Sequence, residues 1–140
     1  MKAPQVVLDS NVLVSAVRSR RGASFRVLSL VDSGRFRIHL SVPLVLEYEQ
    51  VLSREAHGVS AEDAADLVNY LCKVADCHRI HYLWRPFLKD PQDDMLLELA
   101  VAAGCDGIVT YNRRDFEGVA SFGLETMEPI DLLRMIGDLP

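Results

Sequence analysis

Aspartates stand at the ends of apolar runs in this sequence, in places where solubility alone asks for none. "VVLDSNVL" closes the run Val6, Val7, Leu8 on Asp9, with Ser10 and Asn11 behind it. "LKDPQDDMLLELAVAAGCDGIVTYNRRDF" sets Asp90, Asp93 and Asp94 at the head of an amphipathic stretch, then places Asn112 and Asp115 just beyond the apolar "GIVTY". Short β-branched runs of this kind read as strands buried on both faces, and open α/β sheets place ligands at the carboxyl ends of their strands. One strand-end aspartate is commonly only a turn residue. Several carboxylates brought to one strand end would repel one another, so they would titrate high or require a cation. A hard divalent ion answers that need, because Mg²⁺ takes oxygen ligands and keeps several waters. Such an ion makes a water nucleophilic and neutralises charge developing on a phosphate, which is phosphodiester hydrolysis.

Helical spacing tests which acids face inward. At about 100° per residue, Leu96, Leu97, Ala100, Ala103 and Gly104 make one apolar stripe with Asp93 near its middle, while Asp94 and Glu98 point away. Asp90 suits an N-cap with Pro91 behind it, and Asp93 also gains about 0.3–1 kcal/mol from the helix dipole in the first turn. In "VPLVLEYEQVLS" the stripe is Leu44, Val45, Tyr48, Val51 and Leu52, and Glu47 and Glu49 border it on opposite sides at similar angles. Periodicity does not choose between those two glutamates.

The elements that must position these residues alternate along the chain. A strand ending at Asp9 is followed by a helix from about Asn11 and a second over "ASFRVLSLVDSG", with Phe25, Leu28 and Val31 on its core side and Gly34 as its stop. "FRIHLS" reads as a strand, and Ser41 before Pro43 starts a helix through Leu52. Ser60 and Asp63 have capping-box spacing and open a helix to about Ala75. A strand over Arg79 to Leu83, the helix after Pro91, a strand Gly107 to Tyr111, a weaker one near Leu124 to Met127 and a helix Pro129 to Ile136 complete the order. Strands alternating with helices mean a parallel sheet covered on both faces, an α/β fold.

At 140 residues the chain fits one domain, residues 1–140. Hydrophobic residues at 49% and charged ones at 25% exclude a disordered or fibrous class. No apolar stretch approaches the roughly 18 residues of a membrane span, and Asp9 and Asn11 interrupt the N-terminal run where an export signal would be unbroken. The expectation is a soluble, cytoplasmic protein with no membrane contact. The odd cysteine count (Cys72, Cys77, Cys105) without a C-x-x-C pair argues against a disulfide frame or zinc site and for small core residues. A net charge of −5 excludes a global basic field for nucleic acid. Local ones remain, at Arg18, Arg20 and Arg21 after the first aspartate and at Arg113 and Arg114 around the last. His78 and His81 alternate on the expected strand and so face opposite ways, and His39 and His57 have no partner at useful spacing. Tyr82, Trp84 and Phe87 precede the Asp90 cap and are expected to cover the core.

The stretches "VVLDSNVLVSAV", "SVPLVLEYEQVLSR", "KDPQDDMLLELAVAAGCDGIVTYNRRDF" and "LETMEPIDLL", in that order, cover nearly the whole chain, and in them it resembles the PIN-domain nucleases of the VapC-like toxin group. The resemblance implies a three-layer fold with a parallel five-stranded sheet, an acidic Mg²⁺ or Mn²⁺ site and hydrolysis of RNA. It makes Asp9 the first metal-binding carboxylate with Asn11 orienting it, selects Glu47 over Glu49, selects Asp93, and supplies Thr110, Asn112 and Asp115, with Asp115 as the fourth acid. Ser10 stands where many relatives have threonine, and Asn112 where many have aspartate. One tightly held ion is therefore expected, and the second is left open. The five arginines would offer RNA phosphates a landing surface. A small antitoxin protein and a homodimer are the partners the resemblance implies. Two other functions compete: a scaffold that binds RNA or a protein without cutting, and an aspartyl-phosphate phosphohydrolase. The second of these would want an aspartate where Asn11 stands and a lysine that "IVTYNRR" lacks.

Overall fold

The apolar runs become the inner strands, and the polar punctuation between them becomes caps. In the computed structural model, which describes residues 2–54, 57–79 and 87–138, the chain alternates β1 (Gln5–Leu8), α1 (Ser10–Arg18), α2 (Ala23–Ser29), β2 (Arg37–Ser41), α3 (Val42–Leu52), α4 (Ala61–Val74), β3 (Asp76–His78), α5 (Pro91–Ala102), β4 (Gly107–Val109), β5 (Glu125–Met127) and α6 (Pro129–Met135). All five strands pair in parallel in the order β3-β2-β1-β4-β5. From β1 the chain steps outward through β2 to β3, then crosses back to β4 on the other side of β1. Right-handed crossovers therefore put α5 on the face opposite α1 to α4, giving a three-layer α/β/α fold. The reversal lies between β1 and β4, so their carboxyl ends form the topological switch point where such sheets bind ligands.

Sequence chemistry fixes the helix starts. Ser41 accepts the Leu44 N–H at 3.4 Å with Pro43 behind it, Ser60 accepts the Asp63 N–H at 3.0 Å, and Asp90 accepts the Gln92 N–H at 2.9 Å ahead of α5. Each cap supplies an acceptor to an amide that the helix leaves unpaired, worth about 1 kcal/mol. Tyr48, 1% exposed, donates its hydroxyl to the Leu8 carbonyl. That bond ties α3 to the end of β1 and sets Glu47 beside Asp9. Gly107 permits the β4–β5 approach, since a Cβ there would lie 2.6 Å from the Met127 Cε and 2.8 Å from the Glu125 carbonyl oxygen.

Several expectations need correction. The helix α2 stops at Ser29, because the backbone then turns through i→i−3 bonds and the Ser29 and Ser33 hydroxyls bind the Arg26 and Leu30 carbonyls. Its buried residues are Ser24 and Val27, with Val31 beyond its end, and Phe25 is exposed. The third strand is Asp76–His78, not Arg79 to Leu83; residues 80–83 of that expectation, with His81, Tyr82 and Trp84, lie outside the described residues. On α5 Leu99 is buried as well as Leu96, Leu97 and Ala100, so the buried face is wider than one stripe, while Gly104 is exposed past its end. Cys105 is buried, but Cys72 is only half-buried and Cys77 is exposed. His39 has partners that sequence spacing did not reveal: its Nδ1 meets His78 Nε2 at 2.7 Å and its Nε2 meets Gln5 Oε1 at 2.6 Å across three neighbouring strands.

A candidate acidic site at the switch point

Asp9 follows the last residue of β1, and its N–H donates to the Val109 carbonyl at 2.9 Å, which locks the end of β1 to the end of β4. Its side chain is fixed from two directions. Asp9 Oδ2 accepts the Thr110 hydroxyl at 2.8 Å and the Asn11 amide at 3.3 Å. Oδ1 has a long 3.5 Å contact from the Ser10 hydroxyl, and the Ser10 N–H also favours the charged carboxylate. Thr110, fully buried, is the hub: its hydroxyl oxygen also accepts from Asn11 Nδ2 at 3.3 Å and from the Asn112 N–H at 3.0 Å. Asn11 Oδ1 in turn accepts the Tyr111 N–H at 3.3 Å. Ser10, Asn11, Thr110 and Asn112 thus form one connected cradle around Asp9.

Three further acids face it from three other elements. Asp9, Ser10, Asn11, Glu47, Asp90, Gln92, Asp93, Asn112 and Asp115 line a small open cleft of about 170 Å³. Glu47 comes from α3, Asp93 from the first turn of α5, and Asp115 from a 3-10 turn at Arg113–Phe116 that follows β4. The choice that helical spacing left open falls to Glu47, which is 8% exposed, whereas Glu49 faces solvent. Asp90 joins the cleft as well as capping α5, a second role that the capping reading did not anticipate.

Burial and mutual repulsion raise the affinity of these acids for protons. Asp9 is pushed above the ordinary carboxylate range by burial, with Asp115 adding to the rise and the bonds from Thr110 and Ser10 opposing it. Glu47 is raised by burial and then by Asp9 and Asp90, with the charge of Arg54 opposing the rise. Asp93 is raised to about 7, first by burial and then by Asp9, Asp90, Asp115 and Glu47. Among the described residues, no ion pair reaches any of the four. Such a set costs stability as it stands. The leucines of α5 offset that cost, since each fully buried leucine contributes roughly 1.5–3 kcal/mol.

The donors are hard oxygens, so the chemistry of the set fits Mg²⁺ or Mn²⁺ rather than a softer metal. Among the described residues, no three His, Cys, Asp or Glu side chains are drawn together closely enough to cage an ion by themselves. A cation here would be held partly through water, which is the habit of Mg²⁺.

The arginines divide. Arg114 borders a wider groove that shares Asp90, Asp93 and Asp115 with the cleft. Arg113 turns to β5, its Nε donating to Thr126 Oγ1 at 3.3 Å. Arg18 closes α1, about 12 Å along the helix from Ser10 at 1.5 Å per residue. Arg20 lines a separate groove with Phe25 and Leu67. Arg18, Arg20, Arg21 and Arg113 are not among the residues lining the acidic cleft. Phe87, expected in the core, is 46% exposed: its ring rests against Gly118 and meets Phe122 edge-on at 5.1 Å.

Fold and cleft together define a three-layer α/β protein with an acidic site at its switch point. A sequence profile of the PIN domain family matches residues 5–114. That match spans most of the chain, which therefore belongs to the PIN domain family. The matched stretch contains Asp9, Glu47, Asp93 and Asn112 and ends one residue before Asp115. Among solved structures the chain is similar to the crystal structure of VapBC2 from Rickettsia felis bound to a DNA fragment from their promoter, with a TM-score of 0.60 over 87% of this chain and 98% of that one. At 14% identity this likeness shows a shared fold alone. No curated protein matches the chain.

Proposed function

We propose that the chain is a metal-dependent endoribonuclease that hydrolyses RNA phosphodiester bonds, acting as one domain over residues 1–140. What carries this reading is that Asp9, Glu47, Asp93 and Asp115 arrive from four different elements at one cleft without an ion-pair partner among the described residues. PIN domains are generally nucleases, and the resemblance to VapC-like toxins points to RNA. In the same reading the protein is the toxin of a toxin-antitoxin pair, cytoplasmic, a homodimer, and held inactive by a small antitoxin. Among the described residues, no helix is long and apolar enough to cross a membrane.

Asp9, Glu47, Asp93 and Asp115 would hold Mg²⁺ or Mn²⁺, which when bound supplies an activated water and neutralises charge on the phosphate. The chain's own residues do the rest. Thr110 and Asn11 engage Asp9 Oδ2 and leave Oδ1 as the freer atom to present to the cation. Such supporting bonds fix a ligand's orientation and typically change metal affinity 10–100-fold when removed, to order of magnitude. Asp115 stands on the exposed rim, where it can follow the substrate in. Asn112 lines the cleft with an amide in place of the carboxylate many relatives carry, which removes one charge and favours a single tight ion.

Incubating the protein with a pool of structured and single-stranded RNAs, in Mg²⁺, Mn²⁺ or chelator and beside Asp93→Asn, tests the reading. Metal-dependent cutting that disappears in the variant is expected. Absence of cutting together with absence of Mn²⁺ binding would favour the scaffold that binds without cutting.

A further inference from the structure

We propose that the groove beside the acidic cleft, walled by Phe87, Lys89 and Arg114, seats an unpaired nucleotide next to the scissile phosphate, with its base stacked on Phe87. This rests on the nuclease reading above and names the form of RNA it takes.

The groove, about 470 Å³, runs into the acidic cleft through Asp90, Asp93 and Asp115, which belong to both. That size falls within the roughly 300–1,000 Å³ of ligand clefts. Phe87 offers an exposed aromatic surface, yet the ring is held in place. Gly118 has φ +90°, and a Cβ there would lie 3.0 Å from Phe87 Cζ, so the ring packs directly on a backbone that only glycine provides. Phe122 braces it edge-on at an interplanar angle of 82°. The Phe87 and Leu88 N–H groups both donate to Asp94 Oδ1, at 3.2 and 2.8 Å, and Leu88 is buried. Asp94 thereby anchors the platform to the same helix that carries Asp93.

A fixed aromatic ring gives a base a stacking partner without a large ordering cost, and stacking tolerates any base. Lys89 and Arg114 are exposed, and neither forms an ion pair among the described residues, so both are available to phosphate. The acids of the groove lie on the cleft side and with Glu117, and a bound cation would offset their repulsion of the strand. Bases in a duplex are already stacked on one another, so a lone ring selects for the single strand. An arginine-rich peptide is the other occupant that four acids and an aromatic ring could take, and the test below separates the two.

The test is fluorescence anisotropy of a labelled single-stranded oligoribonucleotide and of its duplex, with Mn²⁺, on the full chain and its Phe87→Ala, Phe87→Trp and Lys89→Ala variants. Phe87→Ala is expected to weaken single-strand binding about 5- to 150-fold, the loss of one base–aromatic stack, with duplex binding, Mn²⁺ binding and thermal midpoint unchanged; Phe87→Trp is expected to restore affinity. Lys89→Ala is expected to reduce the salt slope by about 0.7. Unchanged single-strand affinity in a folded Phe87→Ala overturns the proposal, as does Phe87-dependent binding of an oligoarginine peptide by a protein that binds no oligonucleotide. Metal-dependent cutting that ignores Phe87 overturns this proposal and leaves the nuclease reading standing. Phe87-dependent binding without cutting does the reverse.

Discussion

An edge of the sheet and its central switch point treat charge in opposite ways. At the β2–β3 edge, Arg37 forms a two-pronged bond to Asp76, and that pairing holds the Asp76 carboxyl below its usual range. His39 beside it is satisfied by Gln5 and His78. At the β1–β4 switch point, Asp9, Glu47 and Asp93 all have raised pKa values, and among the described residues none of them forms an ion pair, the charge of Arg54 only partly opposing the rise at Glu47. The same fold thus pairs charge where the sheet only needs holding together and leaves it uncompensated at the place where open α/β sheets bind ligands. Acids left without ion pairs in this way gain when something positive arrives, which marks the cleft as the candidate functional site.

The largest effect should separate the two regions outright. Asp93→Asn is expected to lower metal-dependent RNA cleavage by about 10²–10³-fold, the scale of losing one group that stabilises transition-state charge, while Arg37→Ala cleaves RNA as the parent does. Equal losses in both variants, read in a single-turnover assay, would erase the contrast. Next in size, Thr110→Val is expected to weaken Mn²⁺ binding about 10–100-fold by freeing Asp9 to rotate, with Thr110→Ser close to the parent; calorimetric titration measures both.

Acidity distinguishes the two regions by sign. Asp93 has a folded pKa of about 7 against 3.8 for an unperturbed aspartate, so the folded state holds the proton more tightly. Its contribution to metal-free stability is complete below the unfolded value and is lost as pH rises through about 7, a change on the order of 1–2 kcal/mol after solvent screening. His39 is shifted down, first by burial and then by His78. Its contribution is present above the unfolded value and lost as pH falls through the folded one. Between about pH 4 and 7, urea midpoints in chelator are expected to show Asp93→Asn flattening the limb that falls as pH rises and His39→Gln the limb that falls as pH drops. A variant that flattens the other limb would contradict the assignment.

How much of this was legible in sequence follows from where periodicity has purchase. Asp9 was readable because a strand buried on both faces ends on it, and Asp93 because it interrupts an apolar helical stripe. Glu47 and Glu49 flank their stripe symmetrically, so only the docking of α3 on β1 through Tyr48 separates them. The strand Asp76–His78 was missed because its inward pairing is polar, with Asp76 and His78 answering Arg37 and His39, and a hydrophobic pattern is blind to that. Loop arginines have no period at all, so Arg114 could not be told from Arg113. Phe87 owes its placement to Gly118, thirty-one residues later, whose bare backbone the ring packs against and which no local reading connects to it.

The central claim is that the uncompensated acids await a divalent cation, and titrating Mn²⁺ into the full chain near pH 7 by calorimetry tests it most directly. Saturable binding is predicted, with a heat that depends on the ionisation enthalpy of the buffer because Asp93 must give up its proton, and with binding weakened in Asp93→Asn. Heat without saturation, or binding of equal strength in the variant, would contradict it.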